Sequence, residues 1–216
     1  MKLVAFSDPH RRLAAAHALV AASEGADVAI GGGDFGDRGK GALEVLDVLA
    51  RVRCPLLIVS GNHDRLTTLA AFADEHDHVQ LLHGSAVTID GVRFVGIGSA
   101  IADAQPSPSS EWLHERDAAA LLEPHRHCDV LISHTPPLGA ADTHPDGNAG
   151  GSIAVRDALL RLSPVLCLCG HVHRSHGVQV TLGRTRVHNV GPRVAVHHVD
   201  EPEARPPVRR RRAPAG

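Results

Sequence analysis

The sequence predicts an α/β protein: a largely parallel sheet with helices on both faces, plus a smaller region of antiparallel pairing. Three observations carry this. Short continuous apolar runs recur along the chain. Stretches with helical periodicity lie between them. Two further stretches carry the turn signature of a hairpin.

Taken in order, Lys2–Ser7 (KLVAFS) and Val28–Gly32 read as buried strands. Ala42–Val52 reads as a helix, since Leu43, Leu46, Leu49 and Val52 recur at three-residue steps and Val45 and Val48 widen the stripe. Leu56–Ser60 is the third strand. Ala86–Gly96 reads as a hairpin turning at Asp90-Gly91. Val130–Ser133 is a fourth strand. Ile153–Leu162 is a second helix, with Ser152 as N-cap and Pro164 just beyond its end. Val165–Cys169 is the fifth strand, and Gly177–Val190 a second hairpin turning near Gly183-Arg184. His197 and His198 fall in a last strand, with at least one of them facing solvent. Residues 1–199 form one domain. From Asp200 the tail EPEARPPVRRRRAPAG has no periodicity and is read as disordered.

Composition narrows the classes of function. Hydrophobic residues make up 43% and charged residues 21%, as in ordinary globular proteins, while aromatics are only 2%, so the core is aliphatic. The net charge of −2 gives no electrostatic case for a nucleic-acid or membrane partner. The tail holds five Arg against three acids, net +2, which leaves −4 on residues 1–199. No apolar run approaches the roughly 20 residues of a membrane span, and the apolar stretch of MKLVAFSDPHRR is too short for a signal peptide. Cys54, Cys128, Cys167 and Cys169 lie in or beside apolar runs without CxxC spacing, which fits reduced thiols in a cytoplasmic protein.

The five parallel-type strands all end in polar residues that are costly to bury without a purpose. They run into Asp8-Pro9-His10, into Gly33-Asp34-Phe35-Gly36-Asp37-Arg38, into Gly61-Asn62-His63-Asp64, into Ser133-His134, and into Gly170-His171-Val172-His173. Ligands of open α/β sheets bind at the carboxyl ends of the strands, so these motifs are expected to converge. Each alone is weak, because DxH and GNHD also occur in plain turns. Five strand ends carrying only Asp, Asn and His are improbable as surface loops. Gly33, Gly61 and Gly170 precede the first polar residue of their motifs, where a chain must pass close to a ligand. Carboxylate, amide and imidazole donors suit manganese, iron, zinc or cobalt, and no thiolate points to structural zinc. Seven groups exceed what one catalytic ion needs; they suit two ions about 3.5–4 Å apart with a shared carboxylate.

These motifs resemble the calcineurin-like metallophosphoesterases, whose pattern is DxH, GDxxDR, GNHD or GNHE, a later strand-end His, and GHxH. All five occur here in order between Asp8 and His173. The resemblance implies a four-layer α/β/β/α sandwich with two mixed β-sheets and a dinuclear metal site at the C-terminal strand ends. It implies one ion on Asp8, His10 and His173, a second on Asn62, His134 and His171, and Asp34 bridging. His63 matches a non-ligand histidine that contacts phosphate or protonates the leaving group, with Asp64 orienting it and Arg38 near the phosphate. The expected cofactors are two divalent ions, manganese first, with Fe, Zn, Co, Ni or Mg as alternatives.

The stretch DVLISHTPPLG (129–139) is similar to small bacterial and archaeal phosphoesterases and to animal metallophosphoesterase-domain proteins. That implies a small phosphoester substrate, a cyclic nucleotide among the options. The leading expectation is a phosphodiesterase in which a metal-bridging hydroxide attacks phosphorus. A phosphomonoesterase or protein phosphatase is the alternative enzyme, and a non-catalytic scaffold retaining the fold is the competitor of another class.

Of the remaining histidines, His76, His78, His125 and His127 are read as solvated, and His176, in the loop after GHVH, as a secondary candidate for substrate contact. Trp112 is read as a packing anchor. Gly139–Gly151 is read either as a rim of the site or as a simple connection.

Overall fold

The computed structural model describes residues 1–104, 107 and 110–200. The tail expected to be disordered lies, apart from Asp200, outside the described residues. β1 (Lys2–Phe6), β2 (Val28–Gly31), β3 (Leu56–Ile58) and β4 (Val79–Leu81) are parallel neighbours in that order. The chain then builds a second sheet from β5 (Ser85–Ile89) and β6 (Val92–Ile97). Two short strands, β7 (Ala100–Ile101) and β8 (Trp112–Leu113), pair with each other outside it. The second sheet continues with β9 (Val130–Ser133), β10 (Leu166–Cys169), β11 (Gln179–Leu182) and β12 (Thr185–Asn189). Finally β13 (Ala195–His198) returns to the first sheet, antiparallel to β1. The sheet orders are β13-β1-β2-β3-β4 and β11-β12-β10-β9-β6-β5, the second having parallel inner pairs and antiparallel edges. The five predicted parallel strands therefore divide between two mixed sheets rather than forming one.

Side-chain alternation along the strands makes the layers. In β1, Leu3 and Ala5 point into the core between the sheets, with Val28, Ile30, Phe94, Val130, Ile132, Leu166 and Leu168. Val4 and Phe6 point the other way, under α1 (Leu13–Ser23), α2 (Ala42–Leu49) and α3 (Leu66–Asp74). On the far face of the second sheet, Leu131, Cys167 and Cys169 meet α4 (Glu115–Leu122) and α5 (Ile153–Leu162). The result is the expected α/β/β/α sandwich.

Local expectations hold with some adjustments: His76, His78 and His127, read as solvated, are half-buried, and the His78 Nε2 is enclosed. The α2 stripe is buried through Ala42, Val45, Leu46, Val48 and Leu49, whereas Leu43 is 60% exposed and the helix stops at Leu49. His125 is buried, its ring Nε2 3.1 Å from the Gly84 carbonyl, rather than solvated. Ser152 does cap α5, its hydroxyl accepting the Val155 amide at 3.2 Å. Both residues of the Asp90-Gly91 turn have positive φ (46° and 81°), as a two-residue hairpin of this type requires. Of the terminal pair, His197 is buried and His198 exposed. Trp112 opens β8 and donates from its indole to the Ala102 carbonyl at 3.1 Å. Among the described residues no helix is long and apolar enough to cross a membrane.

Candidate metal centre

Each of the five motifs leaves the carboxyl end of its strand and turns inward, and the turns are conformationally expensive. Asp8, His10, Asp34 and His171 all have φ between 43° and 65°, a region non-glycine residues avoid. Strain of this kind, about 1–3 kcal/mol per residue, persists where the surroundings over-determine it, typically at functional sites. Glycines make room for the crossing chains. A Cβ on Gly61 would run into the Asp34 backbone and carboxylate, and one on Gly170 into Ser7 and the Asp8 carboxylate.

The predicted residues come together in two donor sets that share one side chain. In the first, His10 Nε2 lies 3.0 Å from His173 Nε2 and 3.5 Å from Asp34 Oδ2, and His173 Nε2 is 3.7 Å from Asp8 Oδ1. In the second, Asn62 Oδ1 lies 2.8 Å from His171 Nδ1 and 3.1 Å from His134 Nε2, which is itself 3.6 Å from Asp34 Oδ1. The two oxygens of Asp34 thus face separate sets. His134 Nδ1 sits 2.8 Å from the Gly32 carbonyl, which only accepts. One proton therefore lies on Nδ1, so in the neutral ring the Nε2 lone pair faces the site.

The electrostatics call for cations. Asp8, Asp34 and Asp64 are buried, and among the described residues no Lys or Arg forms an ion pair with them. Burial, opposed by His134 but reinforced by the carboxylates of Asp8 and Asp64, pushes Asp34 up to about 7. Burial likewise acts to raise Asp8, but contacts with His173, His176, His134 and Ser7 outweigh it and hold Asp8 well below the usual range. Burial lowers His10 to about 4 and His171 to about 3, so both rings are neutral near pH 7 and keep a lone pair. Burial opposes charge on His134, yet Asp34 and Asp8 raise it overall. The Asp8 hydrogen bond raises His173 as well, so His10 and His171 are the neutral rings. Imidazoles, one amide oxygen and buried carboxylates whose ion pairs, among the described residues, are with histidines alone fit two divalent cations.

His63 stands beside these sets, its ring 5.0 Å from that of His10. The residue expected to orient it does something else. Asp64 accepts amides of Asp34 (2.8 Å), Gly61 (2.8 Å) and Gly36 (3.0 Å), stapling two motif loops together. It is Asp37 that meets His63, its Oδ1 3.0 Å from Nδ1. The Arg38 amide lies 3.0 Å from the same nitrogen, and the Arg38 side chain is exposed. These two anchors are alternatives: a bare Nδ1 accepts from Arg38, and a protonated one donates to Asp37. The two acids should separate in mutagenesis. Asp64→Ala leaves three buried amides unpaired, at about 1–3 kcal/mol each, so its melting temperature should drop; Asp37→Ala, half-exposed, should leave melting unchanged. Equal melting of the two variants would contradict this division.

Sequence reasoning missed Asn189, at the end of β12. Its fully buried Nδ2 faces the carbonyls of Gly170 (2.9 Å), Ala141 (3.1 Å) and Val172 (3.2 Å). It ties the His171–His173 turn to the glycine-rich loop, where the Ser175 hydroxyl also meets the Thr143 amide and carbonyl. Gly139–Gly151 is therefore a rim of the site and not a simple connection. A polar residue ending a strand was the signal, but Asn189 lies outside the five motifs.

Comparison with known proteins agrees with this picture. The chain is 32% identical over 204 residues to the UPF0046 protein K07C11.7 of Caenorhabditis elegans, matching 82% of this chain and 65% of that one. It thus spans just under two thirds of that relative's length. Its fold is similar to TT1561 of Thermus thermophilus, with a TM-score of 0.73 and 19% identity over 91% of this chain and 97% of that one. It is also similar to the phosphopantetheinyl hydrolase of Mycobacterium tuberculosis, with a TM-score of 0.59 and 19% identity over 88% of each chain. The model of the calcineurin-like phosphoesterases matches residues 1–175, a span holding all five strand-end motifs, and the chain belongs to that family.

Proposed function

We propose that the chain is a metal-dependent phosphodiesterase. The observation that carries the reading is the position of Asp34, whose two carboxylate oxygens face separate donor sets with His63 alongside. Asp8, His10 and His173 would hold one divalent cation, Asn62, His134 and His171 the other, and Asp34 both. When bound, the ions supply Lewis acidity toward a phosphoryl oxygen and lower the pKa of a bound water. Manganese is the proposed metal, since the donors are oxygen and imidazole nitrogen without thiolate.

The protein's own groups do the rest. When His63 Nδ1–H donates to Asp37 the ring can carry a second proton on Nε2, and passing that proton to the departing oxygen leaves a neutral imidazole. The ring held by the Arg38 amide is the deprotonated partner of that cycle. The exposed Arg38 guanidinium, beside His63, would meet a phosphoryl oxygen. Arg12 directs its Nε and one Nη to the carbonyls of Pro9 and Asp8. A rim of histidines with the exposed Arg38 guanidinium suits the single charge of a diester better than the two of a monoester, and a cyclic nucleotide falls in that class. The four cysteines are free thiols, which supports a cytoplasmic setting.

The test is a substrate panel on Mn-loaded protein: a bis-aryl phosphate, an aryl monophosphate, and 2′,3′- and 3′,5′-cyclic nucleotides. Diesters should turn over fastest. Activity should vanish on chelation and return with Mn, with about two ions bound per chain. Preferential turnover of the monoester would replace the diester reading, and full activity with one bound ion would sink the dinuclear one.

A further inference from the structure

A further histidine reaches the centre from outside the family pattern. His176 lies five residues beyond His171, after the 3₁₀ turn His173–Ser175 that follows GHVH. Its ring packs against that of His173, with centroids 4.8 Å apart, and its Nε2 lies 3.4 Å from Asp8 Oδ2. That nitrogen is buried and, among the described residues, has no hydrogen-bond partner. At 3.4 Å the contact is a little long for a hydrogen bond, and a shift of a few tenths of an ångström closes it.

The surroundings show why the ring is there. Asp8 Oδ2 also accepts the Ser7 hydroxyl at 2.5 Å, the His171 amide lies 3.1 Å from Oδ1 and 3.2 Å from Oδ2, and Oδ1 faces His173. The His176 ring lies over Gly191, where a Cβ would come within 2.6 Å of its Cγ. The Gly191 carbonyl accepts the Ser7 amide at 2.7 Å. Ser7, Gly191 and His176 together form a wall behind one carboxylate oxygen.

We infer that His176 is a positioning residue for Asp8: with Ser7 it fixes Oδ2 from behind, so that Oδ1 is turned toward the space shared by His10 and His173. It therefore does not touch substrate. The inference rests on the metal assignment proposed above. Groups that orient a ligand in this way are worth about 10–100-fold in metal affinity.

The experiment compares full-length wild type, His176→Leu and His176→Gln by calorimetric titration with Mn²⁺, with bound ions counted after dialysis and melting followed in chelator. His176→Leu should weaken one of the two ions about 10–100-fold and leave the other within about twofold. His176→Gln, whose side-chain amide can still reach Oδ2, should recover most of that loss. With Mn²⁺ saturating, KM for a diester should match wild type in both variants. If His176→Leu does not fold, His176→Asn, too short to reach Oδ2, takes its place. Unchanged ion binding in the variants, equal weakening of both ions, or a raised KM at full metal occupancy would each overturn the inference while leaving the proposed function standing. Wild-type protein that binds no ion would overturn both.

Discussion

Replacing Asp34 with asparagine is expected to weaken both ions at once and to lower turnover on the order of 10³-fold. A bound ion contributes several kcal/mol to charge stabilisation, and each 1.4 kcal/mol is tenfold in rate. His10→Ala, which removes a donor from one set only, should chiefly weaken a single ion. The near-isosteric change at position 34 keeps an oxygen to accept the His63 amide, which meets Asp34 Oδ1 at 2.8 Å, so the fold should survive. Thermal stability supplies an independent readout. Asp34 sits at about 7 in the folded, metal-free protein, pushed up first by burial, against about 3.9 for a free aspartate. Between those values the folded state keeps a proton that the unfolded chain has lost. Its contribution to stability therefore falls as pH rises from about 4 through about 7. At pH 8 in chelator, Asp34→Asn, free of that penalty, should melt above wild type. In Mn²⁺ the order should reverse, because ions that bind only the folded state stabilise wild type more. Wild-type metal affinity in the variant, or a melting order indifferent to metal, would contradict the shared role of Asp34.

Much of this molecule is legible in its sequence, and the gaps have physical causes. Continuous apolar runs mark β1, β2, β3, β9 and β10 because these strands are buried on both faces. The Asp90-Gly91 turn is legible because few residues tolerate positive φ. The helix α1, LAAAHALVAAS, is not, since alanine on every side leaves no apolar stripe although Ala16 and Leu19 are buried. The division of the strands between two sheets is also hidden, because β9 pairs with β6 and β10 across long stretches of chain and no local pattern encodes a partner.

The seven ligand-type residues are legible because each occupies a strand end where polarity is otherwise costly. The partner of His63 is not. Adjacency suggested Asp64, but neighbouring side chains in a turn point apart, and Asp64 is directed into the protein toward three amides. Asp37 reaches His63 from 26 positions away because Asp34 and His63 are brought together at the centre.

His63 itself separates chemistry from ion binding. His63→Ala should keep both ions and yet lower turnover by about 10²–10⁴-fold, the usual worth of a positioned acid or base. The ring is outside both donor sets, and its Nδ1 is occupied by Asp37 or the Arg38 amide. Its neighbour gives the contrast: Asn62 Oδ1 faces both His171 and His134, so Asn62→Ala should lose metal as well as rate. The His63→Ala loss should also depend on the leaving group. An alkoxide-like group is a poor departing anion and needs the proton, so a dialkyl-type or cyclic nucleotide diester should suffer most. A nitrophenolate leaves without one, so a bis-nitrophenyl phosphate should suffer least. Asp37→Ala should reproduce the same ranking at smaller size, about 10-fold, because it removes an anchor and not the acid. Steady-state rates on the two diesters, with bound metal counted in parallel, decide between the roles. Equal losses on both substrates with both ions in place would make His63 a phosphate-positioning group, and loss of an ion would make it part of the metal site.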